Sequence, residues 1–173
     1  MAVLVIAESN GKTIDRGTLS AISAAMKIDD SVDLIIFDES QEVVNFAKKI
    51  SGLKKVIFCK GALEGTLAEN ISPVVVDLSQ NYSHILSSAG TFGKNIMPRI
   101  AALCDSQQIS DISDIINGDT FVRPIYAGNA LATIKSSDDK KFITVRATAF
   151  QAADINIGQA ESEEGPNVEQ YGK

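Results

Sequence analysis

The sequence has few of the residues that usually carry metal or covalent chemistry. It contains one histidine and two cysteines among 173 residues. Because a histidine-based metal site needs several ligands at regular spacing, His84 is expected to be structural and no metal site is expected. A small secreted disulfide scaffold uses more cysteines, so Cys59 and Cys104 are expected to be buried, reduced thiols. A hydrolase using Cys104 or His84 stays open as a minor alternative, although no local motif supports it.

Excess basic charge and long apolar runs are also lacking. The formal net charge is -6 and the isoelectric point is about 4.8, which disfavours nucleic-acid binding. No apolar run approaches the roughly 18 residues that cross a bilayer, so direct membrane insertion is not expected. The start, MAVLVIAESN, is strand-like and has neither the basic region of a signal peptide nor an Arg/Ser-rich transit segment. These features predict a bacterial cytoplasmic protein, or a mature protein of the mitochondrial matrix.

Short apolar runs alternate with helical patterns through most of the chain. The strand-like runs lie at residues 2–8, 32–39, 54–60 and 83–89. Between them apolar residues recur at helical spacing, including a helix predicted around residues 64–71 with Leu67 and Ile71 facing inward. Pro73 is expected to kink or split that helix from the segment after it. The alternation predicts an α/β fold, a three-layer, Rossmann-like, mostly parallel sheet with helices on both faces.

The pattern changes after about residue 110. Residues 119–137 and 141–150 are rich in β-branched and aromatic residues, and the polar stretch SSDDKK lies between them, so a C-terminal β-hairpin is predicted. Pro124 confines its strand to an edge, a bulge or a strand start. Residues 154–173 are polar and acidic, which predicts a linker or disordered tail and leaves residues 1–153 as the folded domain.

The best candidate for an anion site is SSAGTFGKN, residues 87–95, which follows a strand and begins a helix. Thr91, Gly93 and Lys94 are weak candidates there, because backbone N–H groups at a helix start attract anions. The spacing matches neither the P-loop nor the dinucleotide fingerprint, so a tight turn capped by Thr91 is favoured. The loop AESNGK, residues 7–12, is a weaker candidate. Both loops should reach the carboxyl edge of the sheet, so a stand-alone nucleotide-binding module of the adenine-nucleotide alpha-hydrolase-like fold stays open as the alternative function.

Polar residues later in the chain offer two further hypotheses. Asp111 and Asp114 could bind a cation, but a solvated turn is favoured because no ligand-spacing motif accompanies them. In the segment FVRPIYAGNA, Arg123 and Tyr126 are residue types that often anchor protein–protein contacts. The glycine and Asn129 that follow suit a bulge or a position with positive φ.

Five segments in order carry a family resemblance: YSHIL, TFGKNIMPRIAAL, QISDI, TFVRPIYAGNALATIKSSD and ITVRATAF. In order and approximate spacing they resemble the N-terminal domain of the alpha subunit of electron-transfer flavoproteins, over about residues 2–153. The resemblance implies a domain that shares its fold with the beta subunit, which in many members binds AMP. It also implies a scaffold that pairs with beta, so Arg123, Tyr126 and Asn129 are expected at that interface.

The resemblance further implies what the complete protein does. It would be an alpha–beta heterodimer holding FAD, an electron carrier rather than an enzyme. It would accept electrons from flavin dehydrogenases, such as the acyl-CoA dehydrogenases of fatty acid oxidation, and pass them to a membrane quinone oxidoreductase. The second domain, which in the family carries most of the alpha subunit's FAD contacts, is missing from this sequence. The chain is therefore expected to be a truncated or isolated domain, with its tail leading toward that domain and no FAD bound to this fragment alone.

Overall fold

The computed structural model describes residues 2–62 and 67–170. Within them the strands are β1 (Val3–Ile6), β2 (Val32–Ile36), β3 (Leu53–Phe58), β4 (His84–Ser88), β5 (Gln108–Ile112), β6 (Asp114–Asn117), β7 (Thr120–Ile125), β8 (Ala130–Lys135), β9 (Lys141–Val145) and β10 (Glu161–Glu164). The α-helices are α1 (Arg16–Met26), α2 (Gln41–Lys48), α3 (Ala68–Leu78) and α4 (Thr91–Leu103).

Seven strands form one sheet in the order β10-β3-β2-β1-β4-β9-β5. Every neighbouring pair in this sheet is parallel. β1 lies at the centre and pairs with β2 on one side and β4 on the other, so the strand order reverses between β1 and β4. In open α/β sheets ligands bind at such a reversal, outside the carboxyl ends of the strands.

Helices cover both faces of this sheet, because its central strand β1 has apolar side chains on both faces. Its side chains from Val3 to Ile6 are all buried, and successive side chains of a strand point to opposite faces. Val3 and Val5 pack in one core with α1 and α2, whereas Leu4 and Ile6 pack in a second core with α3 and α4. The predicted three-layer α/β fold with a mostly parallel sheet is confirmed.

The remaining strands form a second, antiparallel sheet in the order β6-β7-β8. Phe121 of β7 is fully buried in the core that contains α1 and α2. This contact fixes the base of the second sheet to the parallel sheet. From there β7 and β8 run together as a hairpin to a turn at Tyr126–Gly128.

The predicted C-terminal hairpin exists, but its strands were assigned wrongly. β7 and β8 both lie within the first of the two predicted segments. The second segment forms β9, which inserts between β4 and β5 in the parallel sheet, and its residues Phe142–Val145 are all buried. Pro124 behaves as predicted, because β6 pairs with β7 only as far as Val122 and leaves Pro124 on an edge.

The segment from residue 154 to residue 170 differs from the predicted linker or disordered tail. It contributes β10, which pairs in parallel with β3 at the edge of the sheet. Ala160 and Val168 are buried, and the N–H of Val168 donates to the carbonyl oxygen of Lys60 over 2.8 Å. The prediction of a linker or disordered tail was wrong for the local structure of these residues. The segment has little apolar content, but main-chain hydrogen bonds attach it to the edge of the parallel sheet. A connection toward a second domain stays a prediction.

The helix predicted around residues 64–71 is part of α3, although residues 63–66 lie outside the described residues. Ile71 is buried as predicted, but Leu67 precedes the helix and is 46% exposed, so its inward assignment was wrong. α3 is not split at Pro73 and continues across it. Pro73 is exposed, and the buried apolar residues on either side pack on the sheet, which offsets the cost of the missing backbone donor.

Candidate functional site

The turn from β4 into α4 contains the candidate anion site. Gly90 is the cap residue and Thr91 the first helical residue, and no side chain of the described residues caps this helix. The predicted Thr91 cap was therefore wrong. Thr91 and Lys94 are exposed, whereas Gly93 is buried. The structure thus does not bring Gly93 to the surface that the other two candidates share.

Gly93 is required by close packing between α4 and β4. A β-carbon at Gly93 would overlap the carbonyl oxygen of Ser88 and lie 2.7 Å from the Oγ atom of Ser87. On the opposite face of the sheet, a β-carbon at Gly17 in α1 would overlap the Oγ atom of Ser88. Two helices therefore approach the end of β4 more closely than any side chain would allow.

An acidic side chain, Glu8, faces the crevice between β1 and β4. It directly follows the first strand, and its Oε2 atom lies 3.7 Å from where a β-carbon on Gly90 would be. Burial raises the pKa of the Glu8 carboxyl, and the charge of Asp15 raises it further. The sequence indicated this loop only as a weak anion-binding candidate, and Glu8 was not among the predicted site residues. The nearness of Glu8 to Gly90 follows from the reversal of strand order between β1 and β4.

This arrangement does not fit the diphosphate of FAD or the phosphate of AMP. A phosphate at the start of a helix is stabilised by free N–H groups and by the positive end of the helix dipole. At the start of α4, the carboxylate of Glu8 would repel it. We therefore assign no flavin contact and no chemical step to this crevice. The anion site at Thr91, Gly93 and Lys94 stays a prediction, and the position of Glu8 weighs against it.

The neighbouring loops at the carboxyl edge are linked by polar contacts. The hydroxyl of Ser9, after β1, donates to the carboxylate of Asp38, after β2, over 2.9 Å. The N–H of Gly61, after β3, donates to the carboxylate of Glu39 over 2.8 Å. Each loop is thus fixed to the next, which suits a rigid supporting surface.

The hydrolase alternative fails on geometry. The Nε2 atom of His84 lies 2.6 Å from the carbonyl oxygen of Gly118, and its Nδ1 atom lies 2.8 Å from the Oγ atom of Ser83. Both ring nitrogens are therefore engaged in structural contacts. Cys104 lies at the end of α4 with its Sγ atom 3.8 Å from the Oγ atom of Ser79. His84 is structural, as predicted, and forms no dyad with Cys104.

The two cysteines differ in their surroundings. Both are free thiols, as predicted. Cys59 is fully buried, but Cys104 is only half-buried, so the expectation of burial was wrong for Cys104. Cys104 follows the exposed Leu103 at the end of α4. Apolar residues continue to this point in the sequence, although the end of the helix is not buried.

Asp111 and Asp114 each face a basic side chain rather than one another. Arg146 donates from Nη2 to the Oδ2 atom of Asp111 over 2.7 Å and from Nε over 3.2 Å. Asp114 lies 3.6 Å from the Nζ atom of Lys27. Across the described ranges, no group of three or more His, Cys, Asp or Glu side chains could hold a metal ion. Ion pairs occupy both carboxylates, which disfavours a cation site at these two residues, the alternative that the sequence left less favoured.

The turn at the tip of the β7–β8 hairpin is exposed and has an unusual backbone. Tyr126, Ala127 and Gly128 have φ values of 50°, 52° and 88°, all in the left-handed region. The positive φ predicted for this turn is found at Gly128 but not at Asn129, whose φ is -75°. The Tyr126 side chain is 79% exposed. A costly backbone conformation thus displays a large aromatic side chain to solvent.

Arg123 lies on the same hairpin, opposite Ala132 of β8. Its Nε atom is buried and donates to no acceptor among the described residues. Asn129 is exposed, and its N–H donates to the carbonyl oxygen of Tyr126 over 3.0 Å. The three residues expected at an interface therefore share one projecting element, and their role there stays a prediction.

Residues 3–170 match the family described as "Electron transfer flavoprotein domain". The chain belongs to the electron transfer flavoprotein family. This confirms the family that the five sequence segments predicted. In the described part of the chain, no helix has both the length and the apolar character to span a membrane.

Curated relatives give the same result. The chain is 42% identical over 175 residues to electron transfer flavoprotein subunit alpha of Pseudomonas aeruginosa, which covers 100% of the chain and 57% of the relative. It is 42% identical to the subunit alpha of Paracoccus denitrificans, over 88% of the chain and 50% of the relative. It is 41% identical to the mitochondrial subunit alpha of Dictyostelium discoideum, over 91% of the chain and 47% of the relative. The chain thus spans about half the length of these curated relatives.

Proposed function

We propose that this chain is the N-terminal domain of an electron transfer flavoprotein alpha subunit, a scaffold that pairs with the beta subunit. The observation that carries the proposal is the match of nearly the whole chain to alpha subunits at 41–42% identity. The loops tied together at the carboxyl edge support a scaffold role rather than a catalytic one. In the complete heterodimer the protein carries electrons and is not an enzyme by itself.

FAD belongs to the complete heterodimer in this proposal and is held outside the present domain. The position of Glu8 at the start of α4 supports this, because its carboxylate opposes a bound diphosphate. The complete protein takes electrons from flavin dehydrogenases such as acyl-CoA dehydrogenases and delivers them to a membrane quinone oxidoreductase. Its compartment is the bacterial cytoplasm or the mitochondrial matrix, and the relatives include both bacterial and mitochondrial proteins.

The β7–β8 hairpin is the part of the domain that we assign to the beta-subunit interface. Arg123 has a buried donor without an acceptor, and Tyr126 presents a large amphipathic ring. Arginine and tyrosine are among the residues that contribute most to protein–protein binding energy when a partner covers them. Asn129 extends the same surface at the tip.

The test combines the purified chain with the beta subunit from the same source. We expect the isolated chain to be colourless. We also expect a complex by size-exclusion chromatography, and a yellow, flavin-containing complex once the alpha subunit carries its second domain. A 173-residue chain that holds stoichiometric flavin alone, or that forms no complex with beta, would contradict the proposal.

Binding of single-residue variants to beta tests the assignment of the hairpin to the interface. Arg123→Ala and Tyr126→Ala should each weaken binding to beta by about tenfold or more. The matched control is Leu103→Ala, which truncates another exposed side chain, at the end of α4. Equal affinities of all three variants and the wild type would show that the hairpin is only structural.

A calorimetric titration with AMP and with ATP separates the nucleotide-binding alternative from the scaffold role. We expect no heat and no thermal shift with either nucleotide, because Glu8 faces the crevice beside Gly90. Saturable binding would instead favour the stand-alone nucleotide-binding module.

A further inference from the structure

The two sheets end on four edge strands: β10 and β5 in the parallel sheet, and β6 and β8 in the antiparallel sheet. An edge strand presents unpaired main-chain N–H and C=O groups to which another strand can add. Proteins normally block such edges with charges, bulges, prolines or short strands. The four edges of this protein are not blocked equally.

Three of the four edges carry such features. β10 exposes the acidic side chains of Glu161, Glu163 and Glu164. The register of β5 against β9 shifts between Ile109 and Ile112, around Asp111 with a φ of 58°. β6 has only four residues and an irregular register against β7. Strand addition is hindered at each of these edges by charge, by a bulge or by short length.

β8 has none of these features. Its six residues pair with β7 without interruption, from Lys135 opposite Thr120 to Ala130 opposite Ile125. It contains no proline, no acidic residue and no bulge. Its one charge is at its last residue, where the Nζ atom of Lys135 lies 3.4 Å from the carboxylate of Asp119. The β8 edge is therefore open along most of its length.

The hydrogen-bond pattern shows which amides face outward. The N–H of Ser136 donates to the carbonyl oxygen of Asp119 over 2.9 Å. In an antiparallel pair, residues alternate between pairs that are hydrogen-bonded to each other and pairs that are not. Counting back from Ser136, the main-chain groups that point away from β7 belong to Leu131, Thr133 and Lys135. Their side chains are also the exposed ones of this strand.

We propose that β8 accepts an extended strand of the companion subunit, which pairs with the outward main-chain groups of Leu131, Thr133 and Lys135. This inference rests on the proposed function, because it assigns the place where beta docks. Backbone pairing of this kind supplies affinity, and side chains set the partner's identity.

Arg123 specifies the chemistry of the incoming strand. It lies on β7 opposite the small Ala132, which is on the inner face of β8. Adjacent strands are about 5 Å apart, so an arginine side chain on β7 is long enough to reach past an alanine to a strand added beyond β8. The buried Nε atom of Arg123 has no acceptor among the described residues. In this inference the companion strand carries an acidic side chain next to Ala132, which accepts from the guanidinium of Arg123.

The decisive variant is Thr133→Pro, with Thr133→Val as its matched control. The N–H of Thr133 points away from β7, so proline removes an outward donor and leaves the bonds between β7 and β8 in place. Valine keeps the amide and the shape of the side chain. We expect Thr133→Pro to weaken binding to the beta subunit by about tenfold or more, and Thr133→Val to bind as the wild type does.

Hydrogen exchange provides a second measurement that does not depend on the folding of the proline variant. In the wild-type complex, the amides of Leu131, Thr133 and Lys135 should exchange at least about tenfold more slowly than in the free chain. Unchanged exchange at these amides in a complex that forms normally would overturn the β8 inference and leave the proposed function standing.

Two other experimental outcomes lead to different conclusions. If wild-type chain and beta form no complex, the proposed function fails and this inference fails with it. If the chain alone is a dimer and Thr133→Pro makes it monomeric, the occupant of the β8 edge is a second copy of this chain. That result would overturn the assignment to the companion subunit.

Discussion

The Nε2 atom of His84 lies 2.6 Å from the carbonyl oxygen of Gly118, and this contact joins the two sheets. His84 begins β4 of the parallel sheet, and Gly118 lies in the turn between β6 and β7 of the antiparallel sheet. With a neutral ring, Nε2–H donates to Gly118 and Nδ1 accepts from the hydroxyl of Ser83. The imidazole therefore helps to hold the projecting sheet in place.

The stability of the protein should depend on pH through His84. Burial lowers the pKa of His84 below its ordinary value of 6.5; the hydrogen bond to Gly118 opposes this effect, Lys141 adds to it and Asp29 opposes it. The unfolded chain then binds a proton at a higher pH than the folded chain does. The stabilisation by neutral His84 is complete above about pH 6.5 and is lost as the pH falls through the lower, folded-state pKa.

Urea unfolding between about pH 5 and pH 8 measures this effect. His84→Gln, which keeps a donor but does not titrate, is the control. We expect the midpoint of the wild type to fall more steeply with acidification than that of the variant. Parallel pH profiles would show that another group accounts for the dependence.

Gly93→Ala should destabilise the fold by about 1–3 kcal/mol, because the added β-carbon overlaps the carbonyl oxygen of Ser88 and forces α4 away from β4. Gly118→Ala is the matched control, since a β-carbon there would lie 3.8 Å from the His84 ring, an ordinary contact distance. Chemical denaturation of both variants gives the comparison. Equal losses of stability would mean that α4 can move without cost.

The segment after residue 154 should contribute to stability as part of the domain. Val168 is 5% exposed in the core with α3 and α4, so Val168→Ser should cost about 2 kcal/mol. Glu163→Ser changes a solvent-exposed side chain of β10 that forms an ion pair with Lys55. Because exposed ion pairs contribute little, this substitution should change the free energy of unfolding little. If both substitutions left the unfolding midpoint unchanged, residues 154–170 would behave as the linker that their composition first suggested.

Thiol labelling should distinguish the two cysteines. Burial raises the pKa of the Cys59 thiol to about 12, so almost no thiolate forms at neutral pH, whereas Cys104 is half-buried. The native protein should therefore react quickly at one thiol, and Cys104→Ser should abolish that reaction. Unfolding in urea should expose a second reactive thiol in the wild type. Two rapidly reacting thiols in the native protein would contradict the buried position of Cys59.

Local patterns were sufficient to predict the parallel sheet and its helices, because buried strands such as β1 are continuous apolar runs. They were not sufficient to choose strand partners. Residues 141–145 were assigned to a hairpin, yet their nearly continuous apolar character is typical of an interior parallel strand. By contrast, the alternating exposure of residues 130–135 is typical of a strand with one solvated face.

Two features could not be predicted from local patterns. β10 has the sequence ESEE and exposed side chains, and it pairs through its main chain, so no apolar periodicity marks it. Glu8 lies close to Gly90 because β1 and β4 are neighbours in the sheet, although the two residues are far apart in sequence. The family resemblance predicted the domain. The position of Glu8 in the crevice could be found only once the strand order was known.

The position of β9 and β10 has a consequence for the order of folding. β5 joins the parallel sheet only through β9, which is formed by residues 141–145, and the opposite edge is completed by β10 at residues 161–164. Both edges of the sheet therefore depend on strands that come later in the chain than the strands they pair with. Pairing over such long sequence separations is slow, so we expect β1 to β4 to assemble before β5 finds its place in the sheet.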